Sequence, residues 1–401
     1  MARIRLKALV DKKNNRVIFA ESNEDFVDVL FSFLTIPMGT IIKLSRKHPP
    51  AANLGCMNNL YKSVENLEEE RFQTKACRKM LLSPRNAAAA PCQNLKLNFD
   101  DLETLFYFHC AGSCLSSNYK LVSHYIDTVC DCGSRMGNWT YLVTRKDSDA
   151  EVGVFVKGMA RLMVSDDLQV VPSSTAASFS ILSKLGIIDG SATEVRSFHI
   201  GVNERSSKKP KLEAASNQNG KIVVRLMISK SKQMVCYAEA SEDFVDLLFS
   251  FLTVPLGFII KQMHGGDFKF KGCINRLFDS VQGLDAEQYL KSQENEELLI
   301  SPKLAPVSPV TFLDPKSHDS HHKDKKSGRG FMMGPAQFTI TDDLTVTAIS
   351  SISGLTVLSN LKVPFGDIEE RTVHVGENEA LRLLVASFIS KSALTNAFLL
   401  K

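Results

Sequence analysis

The hydrophobic and polar positions of this chain run through the same order twice. Residues 24–43 read EDFVDVLFSFLTIPMGTIIK and residues 242–261 read EDFVDLLFSFLTVPLGFIIK, at one constant offset. Every mismatch except Thr40 against Phe258 exchanges one apolar aliphatic side chain for another. Agreement of this length favours a tandem duplication of one domain.

Each copy is predicted to begin with a β-hairpin and a buried helix. Alternating positions predict strands at 4–10, 16–20, 222–229 and 233–238. Asn23 or Ser241 precedes the helix, and the Glu-Asp pair that follows suits the positive end of the helix dipole. Pro37 and Pro255 are predicted to end the helices, and the Gly-x-Ile-Ile-Lys sequence after each proline is predicted to return as a strand.

The later parts of the copies also match. Helices are predicted at 55–64, 272–281, 176–185 and 352–361. Strands are predicted within 155–171 and 331–348 and at 196–201 and 371–376. Only the second copy continues into an amphipathic helix; the helix expected after Asn203-Glu204 in the first copy is absent from the pattern. The predicted fold class is α+β, with two tandem copies of one mixed hairpin-plus-helix domain.

Spacing predicts the domain boundaries. The first repeat covers 1–204 and carries a cysteine-rich, zinc-ribbon-like insertion at about 85–154, because the stretch between matched blocks is longer there than in the second copy. Residues 205–220 form a polar and basic linker. The second repeat covers 221–401 and has a polar, low-complexity segment predicted to be a disordered loop at about 314–329.

Composition and charge limit the functions and the cellular locations that we expect for this protein. The 401 residues include 48 basic and 44 acidic side chains, for a net charge of +4, which is far from the excess of a protein that coats nucleic acid. Proline and glycine interrupt the most apolar stretches, so no membrane span is expected. The N-terminal residues lack the apolar centre of a secretory signal, and nine cysteines then suggest a reducing compartment. We expect an intracellular protein, cytoplasmic or nuclear.

Four cysteines of the insertion have the spacing of a metal site. Cys110 and Cys114 form C-x3-C, and Cys130 and Cys132 form C-x-C before Gly133. Thiolates close in sequence suit the tetrahedral coordination of zinc, and the glycine allows a tight turn. In an extended segment, cysteines two residues apart face the same side. We predict a structural zinc site; the alternatives are thiols without metal and redox-active or nucleophilic thiols.

Cys92 and His109 are alternatives for one of the four ligands. Four protein ligands leave no open position for a substrate, so a zinc ion here stabilises the insertion rather than catalysing a reaction.

Other candidate sites have simpler interpretations. The pairs Asp166-Asp167 and Asp342-Asp343 fit turns between strands, although paired carboxylates also serve in acid–base or metal sites. His199 and His374 are predicted to be half-buried strand residues rather than general bases. The Lys208-Lys209-Pro210-Lys211 segment fits a nuclear-import pattern or a solvated linker.

Several long segments carry a resemblance to a known family. They read EDFVDVLFSFLTIPMG, CQNLKLN, C-x-C-G, FVKGMARLMVSDDLQVVP, LLISPKLAPVSPVTF and KSALTNAFL. The chain resembles a plant protein family known as domain of unknown function 674, over nearly its whole length. The resemblance implies no established activity and no catalytic residues, and the four cysteines match the family's cysteine-bearing segment.

Three functions fit the sequence. The first is a non-enzymatic interaction or scaffold protein, with two repeats packed as an intramolecular pseudo-dimer and a zinc-stapled insertion that binds a protein partner. The second is an enzyme with an unrecognised active site. The third is a nucleic-acid-associated protein that uses the insertion and the basic linker. Of these three functions, we expect the first, an interaction or scaffold protein.

Overall fold

The computed structural model describes residues 4–47, 54–86, 88–92, 94–97, 106–110, 120–126, 128–130, 132–141, 153–158, 161–187, 190–200, 222–264, 272–300, 311–313, 330–350 and 352–399. Within these ranges the chain is mixed α+β with three five-stranded antiparallel sheets, so the predicted α+β class is confirmed. The predicted linker 205–220, the predicted loop 314–329 and the stretch after Asn203-Glu204 lie outside the described residues.

The strands are named in chain order. They are β1 (Ile4–Asp11), β2 (Arg16–Ser22), β3 (Phe106–Cys110), β4 (Lys120–Ser123), β5 (Thr128–Val129), β6 (Arg135–Tyr141), β7 (Leu162–Ser165), β8 (Val170–Pro172), β9 (Thr193–Ile200), β10 (Ile222–Ser229), β11 (Met234–Ser241), β12 (Thr311–Leu313), β13 (Gln337–Thr341), β14 (Val346–Ala348) and β15 (Ile368–Val375).

The helices are named in the same way. They are α1 (Glu24–Ser32), α2 (Met38–Lys47), α3 (Met57–Asn66), α4 (Lys75–Leu82), α5 (Ala89–Cys92), α6 (Thr175–Lys184), α7 (Glu242–Ser250), α8 (Leu256–His264), α9 (Cys273–Gly283), α10 (Ala286–Tyr289), α11 (Gln293–Ile300), α12 (Ser353–Leu361), α13 (Glu377–Ile389) and α14 (Ala393–Phe398).

Two of the sheets have equivalent strand orders. The first sheet is β8-β7-β2-β1-β9 and the second is β14-β13-β11-β10-β15. The central hairpin of each sheet carries a bulge at the same place, after Leu9 in β1 and after Met227 in β10. Alternating side chains of β1 are buried, as the period-two pattern predicts. The predicted hairpins are confirmed at both positions.

The predicted return strands after Pro37 and Pro255 are wrong. Both segments are helices, α2 and α8, which begin directly after the proline. Proline is compatible with the first turn of a helix, since its missing N–H has no helical acceptor there. Met38 and Ile42 of α2 are fully buried four residues apart, so the apolar residues follow helical spacing rather than strand spacing.

Helices from each repeat contribute to the core that covers the sheet of the other repeat. Leu60 of α3 belongs to the hydrophobic cluster that contains Leu226 of β10. Leu277 of α9 belongs to the cluster that contains Leu162 of β7. The packing units therefore combine residues from both ranges of the sequence.

Two aspartates, the buried Asp28 and the half-buried Asp246, tie the repeated helices to the backbone. Asp28 of α1 accepts hydrogen bonds from the N–H groups of Val154, Phe155 and Val156, at 2.6, 2.8 and 2.8 Å. Its counterpart Asp246 of α7 accepts the N–H groups of two consecutive residues, at 2.8 and 2.9 Å. These carboxylates attach each helix to the segment that leads towards the outer strands of its sheet.

Burial sets the acidity of both groups. It raises the pKa of Asp28 to about 6 and the pKa of Asp246 to about 7, while the N–H donors act in the opposite direction. A raised pKa means that the folded chain keeps its proton to higher pH than the unfolded chain. The stability that this proton contributes is fully present below the ordinary value of 3.8 and is lost as the pH rises through the folded value.

We predict that Asp246→Asn removes part of the pH dependence of stability. Between about pH 4 and 7, the unfolding free energy of the wild type should fall relative to that of the variant by on the order of a few kcal/mol, because only the wild type must ionise a partly desolvated carboxyl. Chemical denaturation across this pH range measures the difference. Glu297→Gln, at an exposed position of α11, is the control and should parallel the wild type. Parallel curves for Asp246→Asn would contradict the prediction.

Candidate metal centre

The described strands of the insertion form the third sheet, together with one strand from the second repeat. The strand order is β12-β4-β3-β6-β5. The edge strand β12 pairs antiparallel with β4, with Thr311 opposite Val122 and Leu313 opposite Lys120. A strand of three residues is too short to show a period in the sequence, so this pairing was not predicted.

The sheet brings the end of β3 next to the turn that connects β5 to β6. Met136 of β6 lies opposite Cys110 on one side and opposite Thr128 on the other. A bulge between His109 and Cys110 shifts the register of β3 at its last residue. Cys110 therefore lies at the same end of the strands as the turn that contains the Cys-x-Cys pair.

The turn is closed by two backbone hydrogen bonds. The N–H of Cys130 donates to the carbonyl of Ser134 at 2.9 Å, and the N–H of Gly133 donates to the carbonyl of Cys130 at 2.8 Å. Gly133 has a φ of +82°, in the left-handed region that favours glycine. The tight turn predicted at Gly133 is therefore present, although Cys130 and Cys132 occupy the turn itself rather than an extended segment.

Three cysteine sulfurs meet at this place. Cys110 Sγ lies 3.4 Å from Cys132 Sγ, and the sulfurs of Cys110, Cys130 and Cys132 all lie within 4.8 Å of one another. Tetrahedral zinc with Zn–S bonds of about 2.3 Å places its sulfurs about 3.8 Å apart. The three side chains are therefore close enough to bind one metal ion, and they are the soft donors that zinc prefers.

The surroundings of the sulfurs are apolar. Cys110 and Cys130 are buried with Met136, which is fully buried, and Phe108 packs against them. Cys132 is exposed. The site therefore has a closed side within the sheet and an open side at the surface.

Among the described residues, the two alternative ligands predicted from the sequence, Cys92 and His109, do not join this group. Cys114 lies outside the described residues. Cys92 is buried in the separate hydrophobic cluster that contains Phe155 and Leu299. His109 contacts the carbonyl of Cys110 through Nδ1 at 3.2 Å. Neither Cys92 nor His109 is a member of the three-sulfur group.

The aspartate pairs form turns, as the sequence predicted. Ser165 Oγ donates to Asp167 Oδ1 at 2.5 Å between β7 and β8, and Thr341 Oγ1 donates to Asp343 Oδ1 at 2.5 Å between β13 and β14. The leucine that follows each pair has a φ of 62°.

The first aspartates of the two pairs have different partners. Asp342 accepts the N–H and the hydroxyl of Thr395, at 2.7 and 2.8 Å, and so anchors α14; burial raises its pKa. Asp166 instead forms an exposed ion pair with Arg16 at 2.6 Å.

The two strand histidines are exposed rather than half-buried. His199 lies in β9 and His374 in β15, and these strands form edges of their sheets. The prediction of burial was therefore wrong, because an edge strand is covered less than a central one.

A contact between the insertion and α4 has no signal in the sequence. Arg85, three residues after α4, contacts both ring nitrogens of the buried His124, and the His124 ring lies 4.0 Å from the ring of Tyr107 between centroids. The next residue, Tyr125, is fully buried, and its hydroxyl lies 3.4 Å from the carbonyl of Ser83. These residues attach the insertion sheet to the helical core. The anchoring roles of Asp28 and Asp246 were also missed. The available signal was an acidic residue that is repeated at the same place within an apolar helix.

We predict that Gly133→Ala destabilises the insertion. A Cβ at Gly133 would meet no atom within 4 Å, so the cost arises from the left-handed backbone alone and is about 1–2 kcal/mol. Gly137→Ala is the matched control, because a Cβ there also meets no atom within 4 Å and its backbone is not left-handed. Hydrogen exchange of the β6 amides measures the difference. Equal protection in the two variants would contradict the prediction.

Comparison with known proteins places the chain in a family. Within the described part of the chain, no helix is both long and apolar enough to cross a membrane. Neither curated proteins nor solved structures gave a match. The profile described as "Protein of unknown function (DUF674)" matches three successive segments, residues 1–207, 203–309 and 304–378. Since these segments cover most of its length, the chain belongs to the DUF674 family of proteins of unknown function.

Proposed function

We propose that this chain is a non-enzymatic interaction or scaffold protein with a structural zinc site in its insertion. The repeats 1–204 and 221–401, joined by the linker 205–220, pack as an intramolecular pseudo-dimer. The protein acts inside the cell, in the cytoplasm or nucleus, and the insertion binds a protein partner.

The three-sulfur group carries the proposal. Cys110, Cys130 and Cys132 come from a strand end and a turn, and their sulfurs lie within 4.8 Å of one another. Cys114 is four residues from Cys110, which is within the usual spacing of paired zinc ligands, and we assign it as the fourth ligand. Four thiolates complete a tetrahedron, so zinc bound there would stabilise structure and leave no position for a substrate.

The third sheet explains why a metal is useful here. Its strands β3, β4, β5 and β6 come from the insertion, whereas β12 comes from the second repeat. In the part of the insertion that the structure describes, the hydrophobic cluster around the cysteines is small, with three buried residues. A small core benefits from a metal, because metal binding adds directly to the folding free energy.

The exposed apolar residues of the insertion support a protein partner. Ile126, Val129 and Trp139 are 41%, 44% and 61% exposed. Tryptophan is enriched among the residues that dominate binding energy at protein interfaces. A scaffold role follows from a metal-stabilised sheet that presents such residues.

We predict about one equivalent of zinc per chain in the purified protein, measured by elemental analysis. Cys110→Ser, Cys130→Ser and Cys132→Ser should each reduce the zinc content and the protection of the β3 and β6 amides from hydrogen exchange, because each removes a ligand. Cys114→Ser should do the same if Cys114 is the fourth ligand. Cys273→Ser, at an exposed cysteine of α9 outside the group, is the control and should keep its zinc.

Two results would overturn the proposal. One is a zinc content below about half an equivalent, with no loss of folding when the metal is removed by a chelator. The other is unchanged zinc content in all of the cluster variants, which would place any bound zinc elsewhere.

A further inference from the structure

The backbones of the two repeats meet at two equivalent prolines, and the helices after each proline pack against the other repeat. Pro37 and Pro255 lie side by side as an antiparallel bridge. The residue after each proline donates its N–H to the carbonyl of the residue before the other proline, at 3.0 Å in both cases. The helices that follow each proline thus begin at the boundary between the repeats.

The helices after Pro37 complete the core of the second repeat. Leu60 of α3 is fully buried in a cluster with Leu226 of β10 and Phe338 of β13. Ser63 Oγ, one turn further along α3, accepts a hydrogen bond from the N–H of Val346 in β14 at 2.9 Å. Helix α3 therefore contacts the second sheet through both apolar packing and a backbone group.

The helices after Pro255 make the same contacts with the first repeat. Leu277 of α9 is fully buried in a cluster with Leu162 and Val164 of β7. Ser280 Oγ accepts a hydrogen bond from the N–H of Val170 in β8 at 2.8 Å. The two sets of contacts are reciprocal.

Short bridges between backbones join the same partners. Phe72 of the first repeat pairs with Met332 of the second, and Val156 of the first repeat pairs with Leu290 of the second. The ring of Phe72 also stacks on the ring of Phe249 of α7, 6.5 Å between centroids. These two bridges lie at equivalent places in the two packing units.

We propose that the apolar face of α3 and α4, like the equivalent face of α9 and α11, is an interaction surface whose partner is the sheet of a second copy of this fold. The other repeat of the same chain supplies that copy. This proposal deepens the pseudo-dimer of the proposed function and rests on it, but it does not depend on zinc. Each repeat then needs the other to complete its core, and the sequence repeat is not an independent folding unit.

The two helical faces carry the same chemistry. Their buried positions match pairwise: Leu60 with Leu277, Tyr61 with Phe278, and Val64 with Val281. Because both faces and both sheets are equivalent, side-chain chemistry permits either pairing. The bridge at Pro37 and Pro255 directs each set of helices to the sheet of the other repeat.

Hydrogen exchange on two variants of the full chain tests the proposal. Leu60→Ala removes a buried side chain of the first repeat and should raise exchange by about tenfold or more in β10, β11 and β13 of the second repeat. Leu277→Ala, the matched change in the second repeat, should raise exchange by a similar factor in β7 and β8 of the first repeat. The proposal is overturned if each variant affects only the sheet of its own repeat.

Two further measurements complete the test. If Leu60→Ala does not fold, Leu60→Val with Leu277→Val should give the same reciprocal pattern with a smaller increase. Cleavage of the full chain at a protease site inserted in the linker 205–220 should leave two fragments that stay associated in native buffer, and separation of the fragments would contradict the proposal. Zinc content is measured on the same samples. Absence of zinc with the reciprocal exchange pattern intact contradicts only the zinc site. Bound zinc without the reciprocal pattern contradicts only the packing of each repeat's helices on the other repeat's sheet.

Discussion

The paired backbone at Pro37 and Pro255 is the constraint on which the packing of both large sheets depends. The bridge between the prolines sends the following helices across the boundary, so part of the apolar core of each repeat, including β7 in the first and β10 in the second, is covered by helices of the other. Since burial of apolar surface is the main favourable term in folding, this crossing determines which parts of the chain stabilise each other.

The sequence predicted the elements better than their partners. Strand alternation in β1 and helical spacing in α1 are strong local signals, and both were read correctly. The failure at α2 has a local cause: Ile41 and Ile42 are β-branched and favour strands, while Gly39 disfavours a helix. Packing overrides these preferences, because Met38 and Ile42 fill the core and Gly39 fits closely against the carbonyl of Leu81.

The exchange of helices between repeats could not be predicted from hydrophobic patterns. A pattern identifies which side of a helix is buried, but Leu60 and Leu277 would be buried equally well against either of two equivalent sheets. The cysteines are the opposite case. Spacing predicted that four cysteines converge, and the sulfurs of the three that lie among the described residues, Cys110, Cys130 and Cys132, are within 4.8 Å of one another. Such a prediction is possible because cysteine is one of few residue types that serve as metal ligands. The surrounding sheet, with β12 at its edge, depends on pairing between distant segments and has no comparable local signal.

The reciprocal packing has a consequence for synthesis on the ribosome. When β9 has emerged at Ile200, the first sheet has all its strands, but the last of the covering helices, α11, ends only at Ile300. Synthesis of these roughly 100 residues takes on the order of 5–20 s. During that interval the apolar side chains of Leu162 and Val164 lack the helices that cover them in the finished protein. The nascent first half is therefore a natural substrate for chaperones, and aggregation during expression should depend on how fast the second half follows.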